Sequence, residues 1–200
     1  MKKSFVFLLL ALALIVIVSP GIVGKLAERS MDENLDWAAT ESRELTITSQ
    51  GFDRGWFSSA GQHRIELKDG DVRDALNALF QDGGYTGIPA LIIDTRIDHG
   101  LIPVTSVGRP EGSLAPGLGR GVSTLFIEYP DGEAMPVPGT IYSAIGLDGV
   151  LTANYVADSG SLQAEGSKAS WGATDVELST DHRAESFAID GVIESLDVSD

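Results

Sequence analysis

The first 24 residues, MKKSFVFLLLALALIVIVSPGIVG, constrain this chain more than any other stretch. Lys2 and Lys3 precede an uninterrupted apolar run of 14 residues, Phe5 to Val18. Counted through Val23, the run approaches the roughly 20 residues that a helix needs to cross a bilayer. The apolar core of a secretory signal needs only about 7–15. Lysines ahead of such a segment stay on the cytoplasmic side and send the remainder of the chain across. A signal peptidase wants small residues at −3 and −1. Pro20 within Ser19-Pro20-Gly21, and bulky Ile22 ahead of Gly24, fit that poorly. The reading is an uncleaved anchor over 1–24, with a cleaved signal peptide as the alternative. No Cys follows, so lipoprotein attachment is excluded.

The chain holds 14 basic and 29 acidic residues. Two of the bases are Lys2 and Lys3, so the exported part carries 12 against 29, a net −17. Such a surface repels phosphate backbones and anionic headgroups, which argues against a nucleic-acid partner. Without Cys there is no disulfide, despite an oxidising compartment.

Lys25 to Ala39 spaces Leu26, Met31, Leu35 and Ala38 at helical intervals, so 25–44 is expected to be an amphipathic juxtamembrane helix. Residues 45–200 are expected to form one β-rich domain. Leu45 to Thr48 reads as a short strand, and Gln62 to Leu67 as a second. Asp71 to Phe80 is the one soluble helix, with Val72, Ala75, Leu76, Leu79 and Phe80 on one stripe. Asp71 is placed to cap it and Gly83-Gly84 to end it. From Ala90 the period becomes two, which puts Asp94, Arg96 and Asp98 on one face and Ile93, Thr95 and Ile97 on the other. Gly108 to Gly121 reads as a loop and Thr124 to Tyr129 as a strand. Beyond Pro138, turn signals recur every 6–12 residues or so, the beat of an antiparallel meander. Leu147-Asp148-Gly149-Val150 and Ile189-Asp190-Gly191-Val192 suggest a weak internal repeat. The fold class is therefore mainly β: an N-terminal transmembrane helix, a short amphipathic helix, then an antiparallel meander with one inserted helix.

Three segments together bring a family to mind. Ser19-Pro20-Gly21-Ile22-Val23-Gly24-Lys25-Leu26-Ala27-Glu28 is similar to a Pro-x-x-x-Gly-Lys-x-Ala-Glu stretch just outside an anchor. Gly51-Phe52-Asp53-Arg54-Gly55-Trp56-Phe57-Ser58-Ser59 is similar to an aromatic-x-Arg-Gly-Trp-Phe-Ser-Ser hallmark. Ile97-Asp98-His99-Gly100 is similar to an Ile-x-His-Gly-Pro strand end, with Leu101 where the family has Pro. The chain thus resembles the YdgA/YihF-like bacterial envelope proteins, domain-of-unknown-function family 945, and is shorter than typical members. The resemblance implies a β-rich periplasmic protein anchored in the bacterial inner membrane, and it carries over no catalytic residue.

The candidate recognition residues are Gly51, Arg54, Gly55, Trp56, Phe57, Ser58 and Ser59, with His99 and Gly100. The competing and preferred reading of the Gly51–Ser59 stretch is a structural corner: glycines at positive φ, aromatics buried, serines bonded to local backbone. Asp94, Asp98 and His99 do not make a metal site. Positions i and i+4 of a strand lie about 13 Å apart, and Asp98 and His99 point to opposite faces. A Ser-His-Asp hydrolase would need His63, His99 or His182, and no Gly-x-Ser-x-Gly elbow exists. Gly117-Leu118-Gly119-Arg120-Gly121 has no clear strand leading into it and no helix after it, unlike a nucleotide cradle. Asp131-Gly132-Glu133 lacks EF-hand spacing. No catalytic residue, cofactor or metal is implied.

The function expected is that of a non-catalytic, inner-membrane-anchored periplasmic protein. It would present an extended sheet to a lipid or other amphiphile, to an envelope protein, or to a second copy of itself. The alternative is a periplasmic hydrolase or metal-dependent enzyme without a recognisable motif.

Overall fold

A computed structural model describes residues 44–82, 86–100, 116–164, 167–180 and 186–199. The expected anchor, nearly all of the amphipathic helix, the Gly83-Gly84 stop and His182 lie outside the described residues. Among the described residues, no helix is long and apolar enough to cross a membrane.

Among the described residues, twelve strands and one helix succeed one another. They are β1 (Leu45–Arg54), β2 (Ser58–Leu67), α1 (Asp71–Asp82), β3 (Ala90–His99), β4 (Gly119–Glu128), β5 (Ala134–Pro136), β6 (Thr140–Ile145), β7 (Leu151–Ala157), β8 (Gly160–Ala164), β9 (Ser167–Trp171), β10 (Thr174–Thr180), β11 (Phe187–Ile193) and β12 (Leu196–Ser199). The main sheet has the order β1-β2-β3-β4-β6-β7-β10-β11, with β5 beside β4, and every pairing is antiparallel. A second sheet has the order β12-β9-β8. It continues the β11-β10-β7 ribbon past a corner, where Trp171 Nε1 donates to Asp158 O at 3.0 Å. Gly160 fits beneath that indole; a Cβ there would come within 2.6 Å of Trp171 Cζ2.

The mainly antiparallel β architecture with one short helix is as the sequence implies. Several details differ. Helix α1 starts with Asp71 inside its first turn, where a carboxylate complements the helix dipole. The first helical bond runs from Asp74 N to Gly70 O, so Gly70, not Asp71, holds the capping position. Gly119 to Gly121, expected in a loop, opens β4. Gly121 sits close against β6, where a Cβ would overlap the Ser143 hydroxyl, whereas Gly119 has ordinary room. The two copies of the expected repeat differ in structure. Asp148-Gly149 is a turn with Gly149 at φ 83, whereas Asp190-Gly191 lies inside β11. There Gly191 is pressed against Val176 and Asp175 of β10, a close approach rather than a turn.

Strand register sorts the side chains into two faces. Ile47, Ile65, Leu91 and Ile127 stand in one row across β1 to β4. Ile141, Tyr155 and Val176 extend the same face across β6, β7 and β10. A bulge between Ser49 and Gly51 shifts the count by one, so Phe52 returns to this face. Its ring lies over Gly61, where a Cβ would sit 3.1 Å from Phe52 Cδ2. On this face Thr95 Oγ1 and Ser123 Oγ lie 2.8 Å apart.

The opposite face carries the charged side chains, with Ile92, Phe126 and Val122 among them. Gln62 Nε2 donates to Asp94 Oδ1 at 2.7 Å, and Arg64 is paired with Glu66 and Glu128. Partial desolvation works against the charge of Arg64; hydrogen bonds and charge from Glu66, then Glu128, outweigh it and hold the guanidinium above its ordinary pKa.

Among the described residues, every substantial contact between elements is between hydrogen-bonded neighbours. Val72 on the apolar stripe of the helix is exposed. Among the described residues the buried hydrophobic side chains are Ala90, Ile92 and Ala157; of these only Ala157 lies on the apolar face, where Ser59, His63, His99 and Ser123 are also buried and the apolar rows are half-buried.

Candidate functional site

The hallmark segment forms the β1–β2 hairpin. Gly51 to Arg54 end β1, Gly55, Trp56 and Phe57 make the turn, and Ser58 and Ser59 begin β2. Gly55 N donates to Ser58 O at 2.8 Å and closes the tip. Any side chain on Gly55 would press against that same carbonyl, 2.8 Å from its Cβ.

The Ile97-Asp98-His99-Gly100 segment ends β3 directly beside this tip. Ser58 pairs with Asp98 and Ser59 with Ile97. His99 N donates to Phe57 O at 3.0 Å. On the side-chain side, Ser59 Oγ and His99 Nε2 lie 3.1 Å apart. Both are closed off from solvent, at 2% and 1% exposure. Gly100 follows at φ 119, which an L side chain rarely adopts, and lets the chain turn away. Two motifs some 40 residues apart in sequence thus form one structural unit.

The corner reading is corrected in three respects. Neither Gly51 nor Gly55 takes a positive φ; Gly100 does. Trp56 is not buried but 55% exposed, and Phe57 is half-buried. The turn places Trp56 at its outermost point, beyond the last cross-strand neighbour that could cover it. Ser59 bonds a distant imidazole instead of nearby backbone, because its side chain points to the face that carries His99.

A serine hydroxyl on a histidine nitrogen is also the pairing of an activated nucleophile. Here burial shuts out any substrate, and Asp98 cannot orient the ring. Its side chain projects from the opposite face of β3, 3.6 Å from Arg96 Nε. The pair ties the hairpin to the strand. His63 is likewise buried, on β2. Among the described residues, no group of three His, Asp or Glu side chains could hold a metal ion.

Sequence reasoning missed the hollows of the polar face. One of about 660 Å³ is lined by Asp53, Gln62, Asp94, Arg96 and Thr124. A smaller one of about 180 Å³ is lined by Asp98, Arg120, Tyr142, Asn154 and Glu177. Asn154 Oδ1 is buried there without a hydrogen-bond partner in the structure. Alternation within β2 signals which of its residues share a face. Which strands bring Asp94, Glu128 and Arg120 beside them depends on register between strands distant in sequence.

A family model described as a bacterial protein of unknown function, DUF945, matches residues 1–200, the whole chain. The chain belongs to that family, as its three motifs suggest. No curated protein matches it. No solved structure matches it.

Proposed function

We propose that this member of the family is a non-catalytic envelope protein, held in the bacterial inner membrane by residues 1–24, with its sheet in the periplasm. The apolar face of that sheet receives the hydrocarbon part of a lipid or other amphiphile. One observation carries the reading. Apolar rows cross the sheet from β1 to β10 in register, and their side chains are only half-buried. Apolar surface of this extent contributes roughly 25 cal/mol for each Å² removed from water, so a half-exposed apolar face favours an apolar occupant.

Neighbouring residues of β4 provide the test, because Thr124 and Leu125 point to opposite faces. Full-length protein extracted in mild detergent is examined by native mass spectrometry for retained lipid. Leu125→Asp is expected to lower lipid occupancy, and Thr124→Asp to leave it unchanged. Equal retention by both variants, each still folded, would refute the reading. Retention of a second protein in place of lipid would redirect it to an envelope partner or a second copy.

A further inference from the structure

Two turn tips at one end of the sheet expose large apolar side chains. Trp56 is 55% exposed at the β1–β2 tip and Leu147 is 58% exposed at the β6–β7 turn. Backbone hydrogen bonds join the two tips through the ends of β3 and β4. His99 N donates to Phe57 O, Gly100 N donates to Leu118 O at 3.4 Å, and Leu118 N donates to Ile145 O at 2.8 Å. Four strand spacings separate the middle of the β1–β2 tip from the middle of the β6–β7 turn, so the tips stand about 19 Å apart on a common rim.

Both tips are held in place. The first is tied by the buried Ser59–His99 contact. The second is closed by Gly146 N donating to Val150 O at 3.0 Å and Val150 N donating to Asp148 Oδ1 at 3.1 Å. Their exposure is thus part of the fold.

The size of the rim selects its partner. A stable protein interface needs about 800 Å² from each side. One tryptophan brings roughly 150–250 Å², and two turn tips fall short of that area. A bilayer interface makes no such demand on a protein already tethered to it. Tethering raises the effective concentration to about the millimolar range, where a weak contact suffices. Tryptophan is also suited to the headgroup level, with its ring in the apolar boundary and its N–H in the polar layer. Arg54, exposed beside the tip, adds a cation in a chain that is otherwise acidic.

We propose that this rim, Trp56 together with Leu147, rests in the headgroup region of the bilayer that holds the N-terminus; the inference rests on the anchored reading of residues 1–24. Reach permits it. Strand β1 begins at the opposite end of the sheet, about 33 Å from Arg54 at 3.3 Å per residue. Residues 25–43 span about 28 Å as the expected helix and at most about 60–70 Å extended, so with the sheet inclined towards the membrane the rim reaches it in either case.

The test uses the full chain reconstituted into phosphatidylcholine vesicles that carry a headgroup-attached spin label. Alkaline flotation comes first. The difference in fluorescence between wild type and Trp56→Phe then isolates Trp56 from Trp37 and Trp171. The expected result is strong quenching of Trp56 by the lipid-borne label and protection from aqueous iodide, with both effects reduced by Leu147→Ser. Protein that does not float refutes the anchored reading and this contact with it. Protein that floats while Trp56 remains open to iodide overturns the contact alone. Protection from iodide without quenching by the lipid label also overturns it, in favour of a protein partner.

Discussion

Ser59 Oγ and His99 Nε2 meet at 3.1 Å across β2 and β3, each residue at 2% exposure or less. A polar pair sealed in this way is costly to break from one side, because the remaining group stays buried without its partner. Ser59→Ala is expected to destabilise the protein by about 1–3 kcal/mol. His99→Ala should cost more, since it also leaves a cavity. A thermal melt of each full-length variant in mild detergent measures this. A melting temperature unchanged by Ser59→Ala would show that the tie contributes nothing.

Trp56 behaves differently from the tryptophan of a packed corner. A fully buried Trp replaced by Ala typically costs about 3–5 kcal/mol. Exposed substitutions usually stay within about 0.5 kcal/mol. Trp56→Ala is therefore expected to leave the melting temperature nearly unchanged, and a shift of the buried size would contradict its exposure at the hairpin tip.

Gly139 and Gly132 separate backbone strain from crowding. Both have positive φ, 102 and 88. A Cβ on Gly132 meets nothing within 4 Å, whereas one on Gly139 lies 2.8 Å from Tyr155 Cε2 and from Val156 O. Gly132→Ala should cost about 1–2 kcal/mol from the left-handed backbone alone. Gly139→Ala adds overpacking, typically about 1–3 kcal/mol. Chemical denaturation of the two variants should rank them in that order. Equal losses would mean that β6 and β7 relax around the new methyl.

Legibility in the sequence followed the range of the forces involved. The alternation of Asp94, Arg96 and Asp98 with Ile93, Thr95 and Ile97 is local, and the register reproduces it. The turns at Asp131-Gly132 and Asp148-Gly149 are also local, and both glycines take the positive φ that their turns require. Gly121 and Gly191 misled because a glycine admits either a turn or a close neighbour. Only the pairing of β4 with β6, and of β10 with β11, shows which applies. The hallmark segment was visible as a motif, but its tie to His99 was not. Nothing within Gly51–Ser59 indicates that β3 returns beside it.

The central claim is that the apolar face of the sheet meets hydrocarbon, and photo-crosslinking in membranes tests it most directly. Full-length protein in bilayers containing a phospholipid with a photoactivatable acyl chain is irradiated, digested and mapped by mass spectrometry. The account predicts adducts on Leu91, Leu125, Ile141 and Tyr155 of the apolar face, with Gln62, Asp94 and Thr124 of the polar face unlabelled. Labelling spread evenly over both faces, or absent from 45–200 while residues 1–24 are labelled, would contradict it.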